Sequence, residues 1–286
     1  MFIRALLFST VLLFSFTAAA DHLDPHQLMS LVPDPNIKPT YDGPENKTYK
    51  SGGIGILVYD GGNATDALGP QQVFSSAGLR PLLISASKNA QGHYKRKVTF
   101  NNGLTVWTDR TIANTKNLEV LVVPGGAFET IQMAYNTEVL NWIKAIDKNT
   151  VYTTSVCTGS WILGAAGLLQ GKNATSNWYR ADELLTHFGA TPQSLSRYVF
   201  DGKLVTANGV TGGIDMALAI VKKVFSHDLN DGKDYTQAVM LDLQYDPKPP
   251  VQGGSIANTE PTVFEAMQYM YDFYDLANTV KQIPIQ

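Results

Sequence analysis

Cys157 is the residue of this sequence whose surroundings best suit covalent chemistry. It is the single cysteine among 286 residues, and it stands between the apolar run 151–156 and a helical pattern that begins at Thr158. The pattern Ser155-x-Cys157-x-Gly159 has the form of a nucleophile elbow, a tight turn that presents a side chain at the carboxyl edge of a parallel sheet. Free N–H groups at the start of the helix favour a thiolate there. The elbow alone is equally compatible with a buried, inert cysteine.

Two other segments carry groups that could assist a nucleophile. Asp66 lies just after the first apolar run, where it could exchange protons with a neighbour or simply cap a helix. Gly125 and Gly126 follow the apolar run 118–123, and glycines there allow backbone N–H groups to approach a ligand. We therefore expect an oxyanion-type site at these glycines, although the same dipeptide is common in plain turns.

The elements that must position these residues alternate between strand and helix. A continuous apolar run at 53–59 is typical of a strand buried on both faces of a parallel sheet, and two further strands of that sheet are predicted at 118–123 and 151–156. Further strands are predicted at 81–85 and near Tyr198 and Leu204, and a β excursion over 98–108. Helices are predicted over 66–77, 138–147, 158–169, 179–188, 210–225, 235–244 and 261–281. This alternation predicts an α/β fold, with a mostly parallel sheet sandwiched by helices.

The carboxyl-terminal segment, residues 251–286, is predicted to be a helical extension of a domain that spans 53–250. Four apolar residues of its helix recur at helical spacing and predict a stripe that docks on the domain. These residues are Phe264, Met267, Tyr271 and Tyr274.

The amino terminus has the layout of a secretory signal peptide. Arg4 precedes the apolar run 5–17, and three alanines at 18–20 form a cleavage site. The run is shorter than the roughly 20 residues that span a bilayer, so we expect cleavage, export and no membrane anchor in the mature chain. Residues 21–52 are predicted to form an arm. Whether the compartment is a periplasm or a secretory lumen stays open, as does glycosylation of the sequons at Asn46, Asn63 and Asn173.

Composition sets broad limits on function. An apolar fraction of 44% and a charged fraction of 16% are typical of a globular protein with a sizeable core. A net charge of −3 argues against nucleic acid as a main partner, which usually requires a basic face. A single cysteine allows no disulfide within the chain.

Six segments, in order along the chain, resemble the DJ-1/PfpI superfamily and most closely its isonitrile hydratase-like branch. They are residues 65–70, 122–126, 156–160, 162–171, 208–215 and 244–250. The resemblance implies a three-layer fold of the flavodoxin-like type and a homodimer. It also implies a small-molecule substrate and a site made of Cys157, Asp66 and Thr158, with Gly125 and Gly126 holding polar atoms.

The reaction that this resemblance implies is hydration of an isonitrile to an N-substituted formamide, without metal or organic cofactor. Cys157 attacks the isonitrile carbon, Asp66 protonates it, and water releases the product while Thr158 and Gly126 steer the polar atoms. A thiolate and a carboxylate in contact would repel each other. We therefore expect them to share one proton, with the acid partly protonated.

Two positions depart from related patterns. Thr158 stands where protease-like members carry a histidine, which argues against a peptidase. Asn177 stands where the isonitrile hydratase-like branch usually carries a histidine, and none of His93, His187 and His227 lies in a matched segment. Regulators similar to this branch append a helix-turn-helix domain, whereas this sequence ends in an aromatic helix.

Two alternative functions stay open from the sequence. One is glyoxalase- or deglycase-like carbonyl chemistry at the same cysteine. The other is a non-catalytic, redox-sensing or stress-protective module in which Cys157 is oxidised.

Overall fold

A computed structural model describes residues 53–126, 128–226 and 230–286. The predicted signal peptide at 1–20 and the arm at 21–52 lie outside these residues, as do Asn46 and His227, so these expectations stay predictions. The boundary between a domain at 53–250 and an extension at 251–286 also stays a prediction.

The central sheet has seven strands: β1 (Ile54–Val58), β2 (Leu82–Ser85), β5 (Arg110–Thr111), β6 (Val120–Val123), β7 (Tyr152–Val156), β10 (Tyr198–Asp201) and β11 (Leu204–Ala207). Their order across the sheet is β10-β11-β7-β6-β1-β2-β5, and every neighbouring pair is parallel except β10 and β11. Two small pairs stand apart, β3 (Lys97–Thr99) with β4 (Thr105–Trp107), and β8 (Asn173–Ala174) with β9 (Thr191–Pro192). Every residue of β1, β6, β7 and β11 is buried, including the polar Thr153, Thr154, Ser155 and Thr206.

The helices form two packed groups, one for each face of the sheet. They are α1 (Ala64–Ser76), α2 (Phe128–Tyr135), α3 (Thr137–Asp147), α4 (Gly159–Ala165), α5 (Ala181–His187), α6 (Val210–Val224), α7 (Lys233–Asp242), α8 (Pro261–Phe273) and α9 (Leu276–Lys281). One group comprises α1, α6 and α7, and the other comprises α2 to α5 with α9 packed on α5. The predicted α/β sandwich is therefore confirmed.

Two local expectations were wrong, each for a backbone reason, and one helix was missed. Helix α4 ends at Ala165 rather than at 169, because the chain turns through Gly167 at a φ of 75°. The single helix expected over 261–281 is broken where Asp275 adopts a left-handed φ of 52°. Helix α2, directly after the Pro124-Gly125-Gly126 turn, was not predicted.

The aromatic stripe of α8 docks on the domain as predicted. Phe264 and Tyr271 meet the Trp178 ring edge-on, with centroids 5.8 and 5.5 Å away, and Tyr274 meets Phe128 at 5.8 Å. Trp178 comes before α5 and Phe128 begins α2. The extension therefore touches two segments that are distant in sequence.

Substitution of Gly159 tests the close packing at the start of α4. A Cβ atom there would collide with the backbone carbonyl of Val123, which β6 holds in place. We expect Gly159→Ala to lower the free energy of unfolding by about 2 kcal/mol or more.

Urea unfolding of the mature protein measures this change. Gly209→Ala is the matched control, because its Cβ would meet nothing within 4 Å and its φ of −177° is extended. The control should cost less than about 1 kcal/mol. Equal costs at the two sites would contradict the packing argument.

Candidate active site at Cys157

Cys157 occupies the turn between β7 and α4 with a φ of 59°, in the left-handed region that residues other than glycine rarely adopt. Its N–H donates to the carbonyl of Ala207 at 3.0 Å, which ties the turn to the neighbouring strand β11. The residue lies deep among protein atoms yet keeps partial solvent access. The structure therefore forms the predicted elbow at the carboxyl edge of the sheet.

Asp66 lies in the first turn of α1 and is fully buried. Asn63, not Asp66, caps this helix, since its side chain accepts from Thr65 N at 2.9 Å and from Asp66 N at 3.2 Å. Asp66 Oδ2 accepts from Gly125 N at 3.2 Å, while its buried Oδ1 accepts no hydrogen bond from the residues that the structure describes. The carboxyl is thus free of a capping role.

The Cys157 thiol and the Asp66 carboxyl lie close enough that each changes the pKa of the other. Burial raises the pKa of Asp66 to about 6, against the lowering effects of the Gly125 N–H and of the Cys157 thiol. Burial is the largest cause that raises the pKa of Cys157 to about 12, and the charge of Asp66 is the next largest. The Thr158 N–H and the Asn177 amide act in the opposite direction and lower this pKa. At neutral pH the thiol therefore holds one proton beside a largely ionised carboxylate.

The expectation that the helix start favours a thiolate was wrong for the resting site. The Thr158 N–H does act in that direction, but loss of solvent around the sulfur outweighs it. The pKa of Asp66 is raised in the direction expected for a partly protonated acid, but at about 6 it leaves the carboxyl largely ionised at neutral pH.

The Gly125-Gly126 turn holds the two halves of the site together. Gly125 N donates to Asp66, and Gly126 N donates to Thr158 Oγ1 at 3.1 Å. Thr158 Oγ1 in turn donates to Gly126 O at 2.8 Å. Because both glycine N–H groups and the Thr158 hydroxyl have protein partners, their roles here are to position the turn. Thr158 meets the sulfur through its backbone N–H.

Asn177 is a site residue that sequence reasoning noted as a departure but did not assign. Its Nδ2 donates to Cys157 Sγ at 3.4 Å, and its Oδ1 accepts from Tyr179 N at 3.0 Å. The second bond fixes which end of the amide faces the sulfur. An amide cannot exchange a proton at neutral pH, so Asn177 stabilises negative charge on sulfur without acting as acid or base.

Two tyrosines near the sulfur were also missed. Tyr59 is fully buried directly after β1 and donates a hydrogen bond to Pro124 O at 3.1 Å. Burial raises the pKa of its phenol so far that it does not ionise near neutral pH. Tyr271 of α8 lies near enough to Cys157 that the sulfur charge, after burial, contributes to raising the pKa of the phenol. Electrostatic coupling over 98 and 114 positions along the chain cannot be read from local sequence.

The remaining titratable candidates lie elsewhere. His93 is exposed, and His187 Nε2 lies 3.3 Å from the carbonyl of Ile283. Within residues 53–126, 128–226 and 230–286, no group of three or more His, Cys, Asp or Glu side chains is arranged to hold a metal ion. None of the helices described for this chain has the length and hydropathy needed to cross a bilayer.

The fold and the elbow define an α/β protein with a cysteine and a buried acid at the carboxyl edge of its sheet. Residues 53–223 match the DJ-1/PfpI family. This chain belongs to that family.

Three relatives indicate where within the family the chain lies. Isonitrile hydratase of Pseudomonas putida is 38% identical over 206 residues, which cover 71% of this chain and 82% of that protein. A THiJ/PfpI family protein from Pseudomonas syringae superposes with a TM-score of 0.70 at 32% identity, covering 80% of this chain and 89% of that one. The HTH-type transcriptional regulator CdhR of Pseudomonas aeruginosa is 29% identical over 132 residues, 46% of this chain but 39% of the regulator.

Asp66→Asn should stabilise the protein in a pH-dependent way. The pKa of Asp66 is raised from 3.8 to about 6 in the folded chain, so the fold loses stability as pH rises between these values. Asparagine carries no charge to bury. We expect a free energy of unfolding higher by roughly 2–3 kcal/mol at pH 7.5 and nearly unchanged at pH 4.

Urea unfolding at the two pH values measures this effect. Asp182→Asn is the control, because Asp182 also lies in the first turn of a helix but is exposed. An Asp66→Asn variant that is less stable than wild type at pH 7.5 would contradict a buried, energetically costly carboxylate.

Proposed function

We propose that this protein is a cysteine-dependent hydro-lyase that adds water to an isonitrile and releases an N-substituted formamide. The observation that carries the proposal is the fully buried Asp66 carboxyl, whose pKa is raised and which is electrostatically coupled to the Cys157 thiol. Similarity to isonitrile hydratase over most of both chains supports the choice of substrate.

The first half of the reaction joins sulfur to carbon. Asp66 takes the thiol proton as Cys157 Sγ attacks the terminal isonitrile carbon, and it then delivers that proton to the same carbon. The product is a neutral thioimidate, R–N=CH–S–Cys157, with Asp66 again ionised. Asn177 Nδ2 and the Thr158 N–H stabilise the sulfur charge that develops during the transfer.

The second half releases the product. Asp66 accepts a proton from water as the oxygen adds to the thioimidate carbon, and the nitrogen takes up that proton. The resulting tetrahedral adduct, R–NH–CH(OH)–S–Cys157, collapses as the C–S bond breaks, and the hydroxyl proton passes through Asp66 to the departing sulfur. R–NH–CHO leaves and the thiol is restored. A carboxyl with a pKa of about 6 suits both proton transfers near neutral pH.

The site is less well suited to the redox-sensing alternative. Oxidation by peroxide proceeds through the thiolate, and a pKa of about 12 leaves Cys157 protonated at neutral pH. Carbonyl chemistry at the same thiol stays open as the second enzymatic assignment. The regulator that this chain resembles is matched over less than half its length, so its activity is not transferred.

Export of the mature chain and assembly into a homodimer belong to the same proposal. Export rests on the sequence of residues 1–20, and the dimer rests on the family resemblance.

Removing either member of the pair should remove turnover. We expect Cys157→Ala to abolish formamide production, because no other cysteine is present. Asp66→Asn should lower kcat by about 10²–10⁴-fold through loss of the proton carrier. Product formation from cyclohexyl isonitrile, followed by chromatography, measures both effects.

Asp182→Asn should retain wild-type turnover in the same assay. If wild-type protein gives no formamide from a panel of alkyl and aryl isonitriles, the substrate assignment is wrong. Conversion of methylglyoxal by the same preparation would then favour carbonyl chemistry.

The pH dependence should report Asp66. When thiol and carboxyl are both protonated, no base is present to accept the thiol proton. We expect kcat/KM to be level above pH 7 and to fall about tenfold per pH unit below the pKa of about 6. A profile of kcat/KM from pH 4.5 to 8.5 measures this acidic fall. The Asp66→Asn variant should show no such fall. A wild-type profile that is level over the whole range would contradict the role of Asp66.

A further inference from the structure

An apolar cavity of about 330 Å³ lies under the carboxyl-terminal extension. Its walls include the Trp178 ring, Ile256, and Phe264 and Met267 of α8. Its size lies at the lower end of the roughly 300–1,000 Å³ typical of small-molecule sites. The mechanism above uses none of these side chains.

A second, smaller cavity shares part of this lining and includes a residue that donates to the nucleophile. A cavity of about 190 Å³ is lined by Asn177 and shares Trp178 and Ile256 with the larger cavity. Asn177 Nδ2 lies 3.4 Å from Cys157 Sγ. Tyr271, whose phenol is affected by the Cys157 charge, packs edge-on against Trp178 with centroids 5.5 Å apart. Asn177 and Trp178 are neighbours in the chain, so the larger cavity is walled by the residue next to the one that donates to the sulfur, while Cys157 itself lines neither cavity.

The lining of the larger cavity selects against charge. No charged side chain lines it, and of its two hydroxyl residues Thr259 already donates to the carbonyl of Ser255 at 2.7 Å. A charged group placed there would lose water and gain no partner. The smaller cavity differs, since Arg197 lines it with its guanidinium paired to Asp215. An uncharged apolar group therefore suits the larger cavity best.

We propose that the 330 Å³ cavity is the binding site for the uncharged alkyl or aryl substituent of the electrophile that Cys157 attacks. The identity of that electrophile rests on the proposed function. The isonitrile group is small and the same in every substrate, and only the substituent on nitrogen varies. The cavity that binds this substituent therefore determines which isonitriles are accepted. Met267 is the wall residue best placed to tune it, because it is 39% exposed and its flexible thioether tolerates substitution.

The test uses alkylation of Cys157, which is independent of isonitrile turnover. N-methylmaleimide and N-benzylmaleimide each add to the single cysteine of the chain, so intact mass reports the site of reaction. Each rate constant is divided by the rate constant for N-acetylcysteine, which removes intrinsic reactivity. We expect wild-type protein to favour the benzyl reagent by at least tenfold. A benzyl reagent that reacts equally or more slowly, or not at all, would overturn the proposal.

Two variants change the cavity in opposite directions. Met267→Trp fills it and should reduce the benzyl preference at least fivefold, while Ile256→Ala enlarges it and should raise the preference. Met270→Trp is the matched control, because Met270 lies on α8, is 46% exposed and lies outside the cavity. It should leave the preference within twofold. Circular dichroism checks that each variant is folded; a preference that neither Met267→Trp nor Ile256→Ala changes overturns the assignment.

Turnover separates failure of this inference from failure of the proposed function. Methyl and benzyl isonitrile are compared with the same variants. If neither isonitrile is hydrated but the maleimide preference follows the cavity, the substituent site stands and the hydro-lyase assignment fails. If both isonitriles are hydrated and the maleimide preference does not change in the cavity variants, the hydro-lyase assignment is supported and the substituent site is wrong.

Discussion

Removal of water from one carboxyl and one thiol is the constraint on which the rest of this structure depends. In solvent, Asp66 would be an ordinary carboxylate and could hold no proton near neutral pH. Burial raises the pKa of Asp66 to about 6 and that of Cys157 to about 12. In the proposed reaction, the sulfur keeps its proton until it attacks the substrate, and Asp66 carries that proton to carbon. The proposed chemistry therefore requires that the carboxyl and the thiol lie close together and that both are shielded from solvent.

The backbone brings these two groups together at a cost. Cys157 holds a left-handed conformation, and the start of α4 passes so close to the end of β6 that Gly125 and Gly159 have no room for side chains. The Thr158 hydroxyl ties the Gly126 backbone at both its N–H and its carbonyl. Strain of this kind persists where the surrounding structure over-determines it, and here buried strands on both sides of β7 supply that support.

The proposed catalytic groups and the proposed substituent site come from different parts of the chain. The nucleophile, the acid and the glycine turn lie within residues 53–223, which match the DJ-1/PfpI family. The walls of the apolar cavity come largely from residues 254–267, beyond that match. This division would allow the substituent site to change while the proton-sharing pair stays fixed. It also gives the carboxyl-terminal aromatic stripe a role beyond packing.

The sequence by itself determined the layers of the fold and the main chemical residues. Apolar runs without alternation identified buried parallel strands, and the small residues around Cys157 and after β6 located the edge where they end. Asp66 was identified by its position after the first strand. These signals are local, because strand burial and turn geometry act on neighbouring residues.

Only the tertiary structure decided which groups touch the sulfur and how it is ionised. Asn177 donates to Cys157 from 20 positions away, and Tyr271 lies near enough to feel the sulfur charge from 114 positions away; no local pattern records such proximity. The state of the thiol was also beyond the sequence. A helix start favours the thiolate, burial opposes it, and the balance depends on how much solvent the whole fold removes.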